Sequence, residues 1–285
     1  MENHKDVHIA ATAAAISYIE SHLGEKMDLG RVAAAVHYSK FYLHRMFTRT
    51  VGITVHGYIQ RRQLTEAARL LVFSAKPILD IAWLAGYESQ QAFTGVFKSM
   101  YKQTPMEYRG NQAFYPLQLE CVLNHHISEP GSGRQWICYA TQDDIPAWMD
   151  FLPLVVDGFP CLEEREYGKR LEAYVGQRQA LAFWDGDALV GAATFSRQAG
   201  SIDFLGVHPQ YRGYGVAEAL LDFMRTHIFG GHGVSITTFR QGDPADTGQR
   251  EGYKRLGFVE SELLTEFGYP TQRMVLLPFV EGVGK

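Results

Sequence analysis

The chain of 285 residues contains no apolar run approaching the ~20 residues that a membrane-crossing helix requires. The stretch from Met1 to Ala10 carries Glu2, Asp6 and two histidines and has no basic segment leading into an apolar one, so no export signal is expected. Cysteine is scarce. The three, at positions 121, 138 and 161, cannot all pair, which argues against a disulfide framework and for a reducing cytoplasm. No low-complexity or collagen-like bias is present. The content is 46% hydrophobic, 20% charged and 13% aromatic, which suits packed cores and, at this length, about two domains. The net charge of -4 is unevenly spread. Residues 1–112 hold thirteen Lys and Arg against nine Asp and Glu, whereas residues 113–285 hold fourteen against twenty-two. A basic front half suits a polyanion and an acidic back half suits a cationic partner.

A helical period runs through the first hundred residues. Ile9, Ile16, Ile19 and Leu23 share one face, and Gly24 is a stop signal. Asp28 is an N-cap for a short helix built on Leu29, Val32, Ala33 and Val36. Ser39 caps the next, which turns Leu43, Met46 and Phe47 inward before Gly52. The pattern then returns: Ile78, Ile81 and Ala82, Gly86, a Ser89 cap, and Phe93, Val96, Phe97 and Met100 inward. At an offset of 50, Ser39 falls on Ser89, Phe47 on Phe97, Thr54 on Thr104 and Tyr58 on Tyr108. The spacing predicts a duplicated helix-turn-helix. Thr54 to Phe73 reads as one connecting helix of about 30 Å, close to the ~34 Å turn of B-DNA. The outward residues are Lys40, His44, Arg45 and Arg49 on the first recognition helix and Gln90, Gln91, Thr94 and Lys98 on the second. Arg and Lys can read guanine edges and Gln can read adenine, and Arg61 and Arg62 are expected on phosphates.

Residues 10–110 resemble the AraC/XylS-type DNA-binding domain. The match runs through Tyr38-Ser39-Lys40, Leu43, Arg45-Met46-Phe47, Gly52, Ile81-Ala82, Gly86-Tyr87, Phe97-Lys98, Thr104-Pro105 and Tyr108-Arg109. Glu88-Ser89-Gln90-Gln91 is similar to the Mar/Sox/Rob subgroup. The resemblance implies binding of double-stranded DNA, with base-edge contacts from Phe41, His44, Arg45, Gln90, Gln91 and Thr94. Gly95 stands where the subgroup commonly has Arg, and Lys102 stands where it has a glycine cap.

Residues 112–133 read as a linker through Pro116, Asn124 and Glu129-Pro130-Gly131-Ser132-Gly133, although Leu117, Leu119, Val122 and Leu123 have the character of packed residues. Cys121, His125, His126 and Cys138 match no standard zinc spacing, so no metal is expected.

From residue 134 strands and helices alternate. Trp136–Ala140 is strand-like, Asp143 or Asp144 is positioned to cap a helix through Trp148, Phe151 and Leu154, and a further helix spans about 162–175. Strands at 180–184 and 188–195 flank the hairpin signal Asp185-Gly186-Asp187. Another strand, 202–207, leads through His208-Pro209-Gln210-Tyr211-Arg212-Gly213-Tyr214-Gly215 into an apolar helix from Val216 to Ile228. A strand, a glycine-bearing turn and a helix start make an anion cradle. Glu218 occupies the place of a third dinucleotide-fold glycine, and no Gly-Lys-Ser/Thr follows, so those phosphate loops are excluded. His208, before a proline, reads as turn chemistry.

Gln210-x-x-Gly213-x-Gly215 resembles the acyl-CoA loop of the GNAT superfamily of N-acetyltransferases, and Leu205-Gly206-Val207 the strand that pairs with pantetheine there. Gly252-Tyr253-Lys254-Arg255-Leu256-Gly257-Phe258 is similar to the family's second signature. The resemblance covers about 134–278. It implies acetyl-CoA, or another acyl-CoA, as co-substrate or effector, held by Leu205, Val207, Gln210, Arg212, Gly213, Tyr214, Gly215 and Val216, with Tyr253 protonating the thiolate. For the base, Asp203 lies on the expected strand, and Glu163, Glu164 or Glu166 could border the acceptor cleft. The expectation is therefore a multidomain chain. An all-α tandem helix-turn-helix domain spans 1–111, a linker spans 112–133, and an α/β GNAT-like domain with a mixed sheet spans 134–285. The acceptor or effector is expected to be a small cationic amine, and no membrane contact is expected.

Overall fold

The computed structural model describes residues 4–123, 135–155, 164–266 and 268–278. These fall into two compact units, one holding residues 4–123 and the other most of the residues from 135 onward.

The first unit is all helix: α1 (His4–Ser21), α2 (Leu29–Ala35), α3 (Lys40–Val51), α4 (Val55–Phe73), α5 (Ile78–Leu84), α6 (Gln90–Tyr101) and α7 (Pro105–Asn111). The caps expected at Asp28, Ser39 and Ser89 are made, and the repeat-related Thr54 and Thr104 cap as well. Asp28 accepts from the Arg31 amide, Ser39 from Tyr42, Thr54 from Gly57, Ser89 from Ala92 and Thr104 from Glu107. Each gives one orphan N–H of a helix start a partner. The duplication is kept at α3 and α6, whose bounds differ by the same 50 residues at both ends. Their C-caps differ in chemistry but not in conformation. Gly52 ends α3 at φ 89° and Lys102 ends α6 at φ 61°, both left-handed. The lysine carries the strain that the glycine avoids.

Arg61 and Arg62, expected on phosphates, are instead buried. The Arg61 guanidinium donates to the Leu117 carbonyl at 2.9 Å. Arg62 donates through Nε and Nη2 to the Glu20 carboxylate and through Nη1 to the Gln118 carbonyl. The reason is the segment after α7. From Tyr115 to Cys121 the chain runs along α4, and its main chain is bonded by side chains of the helices. The Tyr108 hydroxyl accepts from the Tyr115 amide, Thr65 Oγ1 from the amides of Leu117 and Gln118, and the Tyr58 hydroxyl from that of Cys121. An extended strap with no strand beside it needs such partners when its apolar residues are buried. Residues 115–121, which composition marks as linker, are thus part of the helical unit's packing; residues 124–133 lie outside the described residues.

The second unit has β1 (Gln135–Tyr139), α8 (Ile145–Val155), α9 (Glu164–Gly176), β2 (Ala180–Asp185), β3 (Ala188–Ser196), β4 (Ser201–Val207), α10 (Val216–His227), β5 (Val234–Phe239), α11 (Gln249–Arg255), β6 (Val259–Glu266) and β7 (Tyr269–Leu276). Among the described residues seven strands form one mixed sheet in the order β1-β2-β3-β4-β5-β7-β6, with β4 and β5 parallel and every other pair antiparallel. Asp143 and Asp144, expected to cap α8, lie instead inside a turn that runs into it. A 3-10 turn, Gln142–Asp144, precedes α8, and Asp144 reaches back to the Thr141 amide at 2.7 Å. Gly191 in β3 lets α10 lie close, since a Cβ there would sit 2.5 Å from Val216 Cγ1 and 3.0 Å from Leu220 Cδ1. Among the described residues no helix is long and apolar enough to cross a membrane.

Gly95 lies in the middle of α6, and a Cβ at this position would meet nothing within 4 Å. The glycine therefore costs helix stability without a packing return. Gly95→Ala is expected to raise the unfolding free energy of the first unit by about 0.5–1 kcal/mol, read by urea titration.

Candidate functional site

Each unit carries one candidate site. In the first, the apolar period of α3 and α6 sets which side chains point out. Leu43, Met46 and Phe47 are buried on α3, and Phe93, Phe97 and Met100 on α6. That leaves Lys40, Phe41, His44 and Arg45 exposed on the first helix. On the second, Gln90, Gln91 and Lys98 are exposed and Thr94 is half-buried. Phe41 is 77% exposed, and the Arg45 guanidinium lies 5.9 Å from its ring centroid. Arg49 is exposed on the last turn of α3. The two recognition helices therefore present different chemistry, cationic and aromatic on α3, amide-rich on α6.

In the second unit the site begins where strands part. β4 and β5 pair only at Ser201 with Ser235 and Ile202 with Ile236. Immediately after, the β3–β4 register slips, with Phe195 opposite Ile202 and Thr194 opposite Phe204, so Asp203 is a bulge residue. Bulges bend a strand and end pairing. Beyond it Leu205 and Val207 keep their ladder to β3, at Ala193 and Gly191, while their other edge has left β5. That edge offers main-chain donors and acceptors to an extended ligand.

The strand leads into the cradle. His208 Nδ1 accepts from the Gln210 amide and starts a 3-10 turn, Pro209–Tyr211. Burial, helped by the Arg212 charge, lowers the His208 pKa to about 4, so it is neutral and serves as a turn cap. Gln210 and Tyr211 are buried, and the Tyr211 hydroxyl donates to Asp185 at 2.9 Å, fixing the turn to the β2 end. Gly213 and Gly215 follow at φ 80° and 78°, both exposed and both facing open space. α10 then starts on Gly215 with no side-chain cap. Its first amides and the positive end of its dipole are left for an anion. Val216 is buried against Gly191, Arg212 is half-buried and Tyr214 is 42% exposed at the rim.

Asp203 and Tyr253 come from the two sides of the parting. The Asp203 carboxylate is exposed and accepts from the Tyr174 hydroxyl at 2.8 Å and from Ser201 Oγ at 2.7 Å. Tyr174 and Ser201 are not among the expected site residues; Ser201 has one sequence signal, a hydroxyl two residues before an acid on a strand, and Tyr174, on α9, has none. Burial and the neighbouring Asp203 raise the Tyr174 pKa, which keeps it a donor. Tyr253 is half-buried on α11, the helix that packs on β5, and its ring meets Phe258 edge-on at 5.9 Å. Glu166 is exposed and paired with Lys169 at 2.7 Å, while the side chains of Glu163 and Glu164 lie outside the described residues. Of the suggested metal set, His125 and His126 also lie outside them, and Cys121 is buried with its amide on Tyr58. Among the described residues no group of three His, Cys, Asp or Glu is placed to hold a metal ion.

Known proteins match the two units separately. The profile of a helix-turn-helix domain matches residues 32–111, and that of the acetyltransferase (GNAT) domain matches 158–277. The transcriptional regulator Rob of Salmonella typhimurium is 44% identical over 92 residues, which are 32% of this chain and 32% of Rob. The chain thus spans about a third of that relative's length. The regulatory protein SoxS of Escherichia coli is 40% identical over 94 residues, 33% of this chain and 88% of SoxS. Among solved structures, a GNAT-family acetyltransferase from Bacillus cereus covers 52% of this chain and 99% of its own, at 14% identity and a TM-score of 0.41.

Proposed function

Since the chain belongs to the AraC/XylS-type helix-turn-helix regulators and carries a GNAT acetyltransferase domain, we propose that it is a cytoplasmic transcriptional regulator that binds double-stranded DNA and transfers an acetyl group from acetyl-CoA to a small cationic amine. One observation carries the transferase reading. The uncapped start of α10, behind two exposed left-handed glycines, adjoins a strand edge that β5 has vacated. A diphosphate suits the first feature and an amide-bearing pantetheine arm the second.

Acetyl-CoA supplies the thioester. The amides of the 213–216 turn and Arg212 hold its diphosphate, Gln210 shapes the turn, Tyr214 borders it, and the main chain of Leu205 and Val207 aligns the arm. The free amine attacks the thioester carbonyl, the new C–N bond forms as the C–S bond breaks, the Tyr253 hydroxyl gives the departing sulfur a proton, and the proton that the nitrogen sheds on becoming an amide restores Tyr253. Asp203, an acid at the parting of the strands, takes the proton from the acceptor ammonium. Positioning and one acid are enough for such a transfer. The acidic charge of the second half of the chain favours the cationic acceptor.

Calorimetric titration with acetyl-CoA, followed by thiol release across a panel of amines, tests this reading. Binding with turnover supports it. Binding without turnover on any amine favours a second reading, a regulator whose GNAT unit only senses acyl-CoA, which its fusion to a DNA-binding unit supports. No binding overturns both. Tyr253→Phe is expected to lower turnover at least tenfold (about 1.4 kcal/mol) with acetyl-CoA affinity unchanged. On the DNA side, base reading rests on Lys40, Phe41, His44 and Arg45 of α3 and Gln90, Gln91, Thr94 and Lys98 of α6. Arg45→Ala is expected to cost about 1–3 kcal/mol on a selected duplex and to relax preference at one position, measured by fluorescence anisotropy.

A further inference from the structure

The helical unit contains a cavity of about 430 Å³ on the side of α4 that faces α1 and α5. That volume falls within the ~300–1,000 Å³ of small-molecule sites. Its apolar walls come from both halves of the duplication. Leu23 belongs to the first and Leu84 to the second, with Ala67 and Leu70 of α4 between them.

The charged groups decide what it can hold. Four of the five Arg62 N–H donors are used: Nε and Nη2 go to Glu20, Nη2 also approaches Glu66, and Nη1 takes the Gln118 carbonyl. Glu20 is further bonded by the Tyr58 hydroxyl at 2.9 Å. Glu66 pairs with Arg69 at 2.6 Å. Glu120, on the strap, adds a third carboxylate at the rim, exposed and in no ion pair among the described residues. Three carboxylates thus face two guanidiniums, and the charge left over is negative. An anion entering would meet the unmatched Glu120, while each guanidinium already faces a carboxylate, Arg62 that of Glu20 and Arg69 that of Glu66. A bare hydrocarbon would leave Glu120 partly desolvated without a partner.

We propose that this cavity binds a small organic cation, a primary ammonium on a short aliphatic chain, with the ammonium on Glu120 and the chain against Leu23, Leu70 and Leu84. The site is independent of acetyl transfer by the second unit. Its occupant touches elements of both helix-turn-helix halves and so braces one against the other.

The test is calorimetry of the full chain with n-pentylamine and with its neutral acetamide, N-pentylacetamide, in the wild type, Glu120→Gln and Glu120→Lys. The expected result is saturable binding of the amine, at least tenfold weaker binding of the acetamide, and loss of one binding equivalent in both variants with their melting temperatures unchanged. If the second unit also takes the amine, the wild type shows two equivalents and the variants one. Equal affinity for the acetamide overturns the proposal, as does an amine isotherm unaltered by Glu120→Gln or the absence of any binding to the wild type. A variant with an altered melting temperature is replaced by Leu84→Gln, which roughens the apolar wall at a residue 47% exposed and is expected to weaken the amine at least threefold.

Discussion

Glu20→Ala is expected to destabilise the helical unit by about 3–5 kcal/mol, the cost of stranding a buried charge. The Arg62 side chain is 8% exposed and that of Glu20 13%, so water screens the pair poorly. Glu20 takes two donors from Arg62 and one from Tyr58, and Tyr58 in turn holds the Cys121 amide. Removing the carboxylate leaves a guanidinium and a hydroxyl inside the fold with Glu66, at 3.4 Å, as the remaining acid. The same reasoning predicts that Glu20→Gln costs less, because an amide oxygen still accepts while the charge is lost. Urea unfolding followed by circular dichroism measures both. A loss under about 1 kcal/mol for Glu20→Ala would mean that water or Glu66 takes over Arg62. Operator binding should fail with folding, not before it, since neither residue lies on the exposed face of α3 or α6.

Gly191→Val is expected to abolish acetyl-CoA binding, or to weaken it at least a hundredfold, while leaving DNA binding intact. The helix whose first turn makes the cradle rests on this glycine, and a side chain here runs into Val216 and Leu220. Overpacking of this kind costs about 1–3 kcal/mol, relieved by lifting the helix start. Val216 is the first residue of α10, so relief moves the amides that would face the diphosphate. Gly191→Ala should produce a smaller loss of the same kind. Calorimetry with acetyl-CoA, alongside anisotropy on a DNA duplex, separates the two units; retention of full acetyl-CoA affinity by Gly191→Val would sink this account of the cradle.

What can be read from sequence divides along a physical line. Caps and periods are local, so Asp28, Ser39, Ser89 and the 50-residue duplication appear in the structure as the sequence indicates. The Gly213–Gly215 turn and the strand before it are legible for the same reason. Arg61 and Arg62 escape a local reading because their carbonyl partners lie 56 residues on, and Arg62's counter-charge 42 residues back. A cation on an amphipathic helix looks the same in sequence whether it meets a phosphate or a carbonyl. The bulge at Asp203 depends on how β4 registers against β3, and its hydroxyl partner Tyr174 sits 29 residues away. Gly191 offers a faint signal, a glycine inside a strand pattern, which marks close approach of another backbone or helix.

The strap along α4 bears on how such a chain could be assembled or taken apart. A gene fusion that joined a foreign partner directly after Asn111 would strip the carbonyls of Leu117 and Gln118 from two interior guanidiniums and the amide of Cys121 from Tyr58. The transplantable module is therefore longer than its helices. It includes at least the strap through Leu123, which packs in the helical core, and recombination that respects helix boundaries alone would cut through its interior.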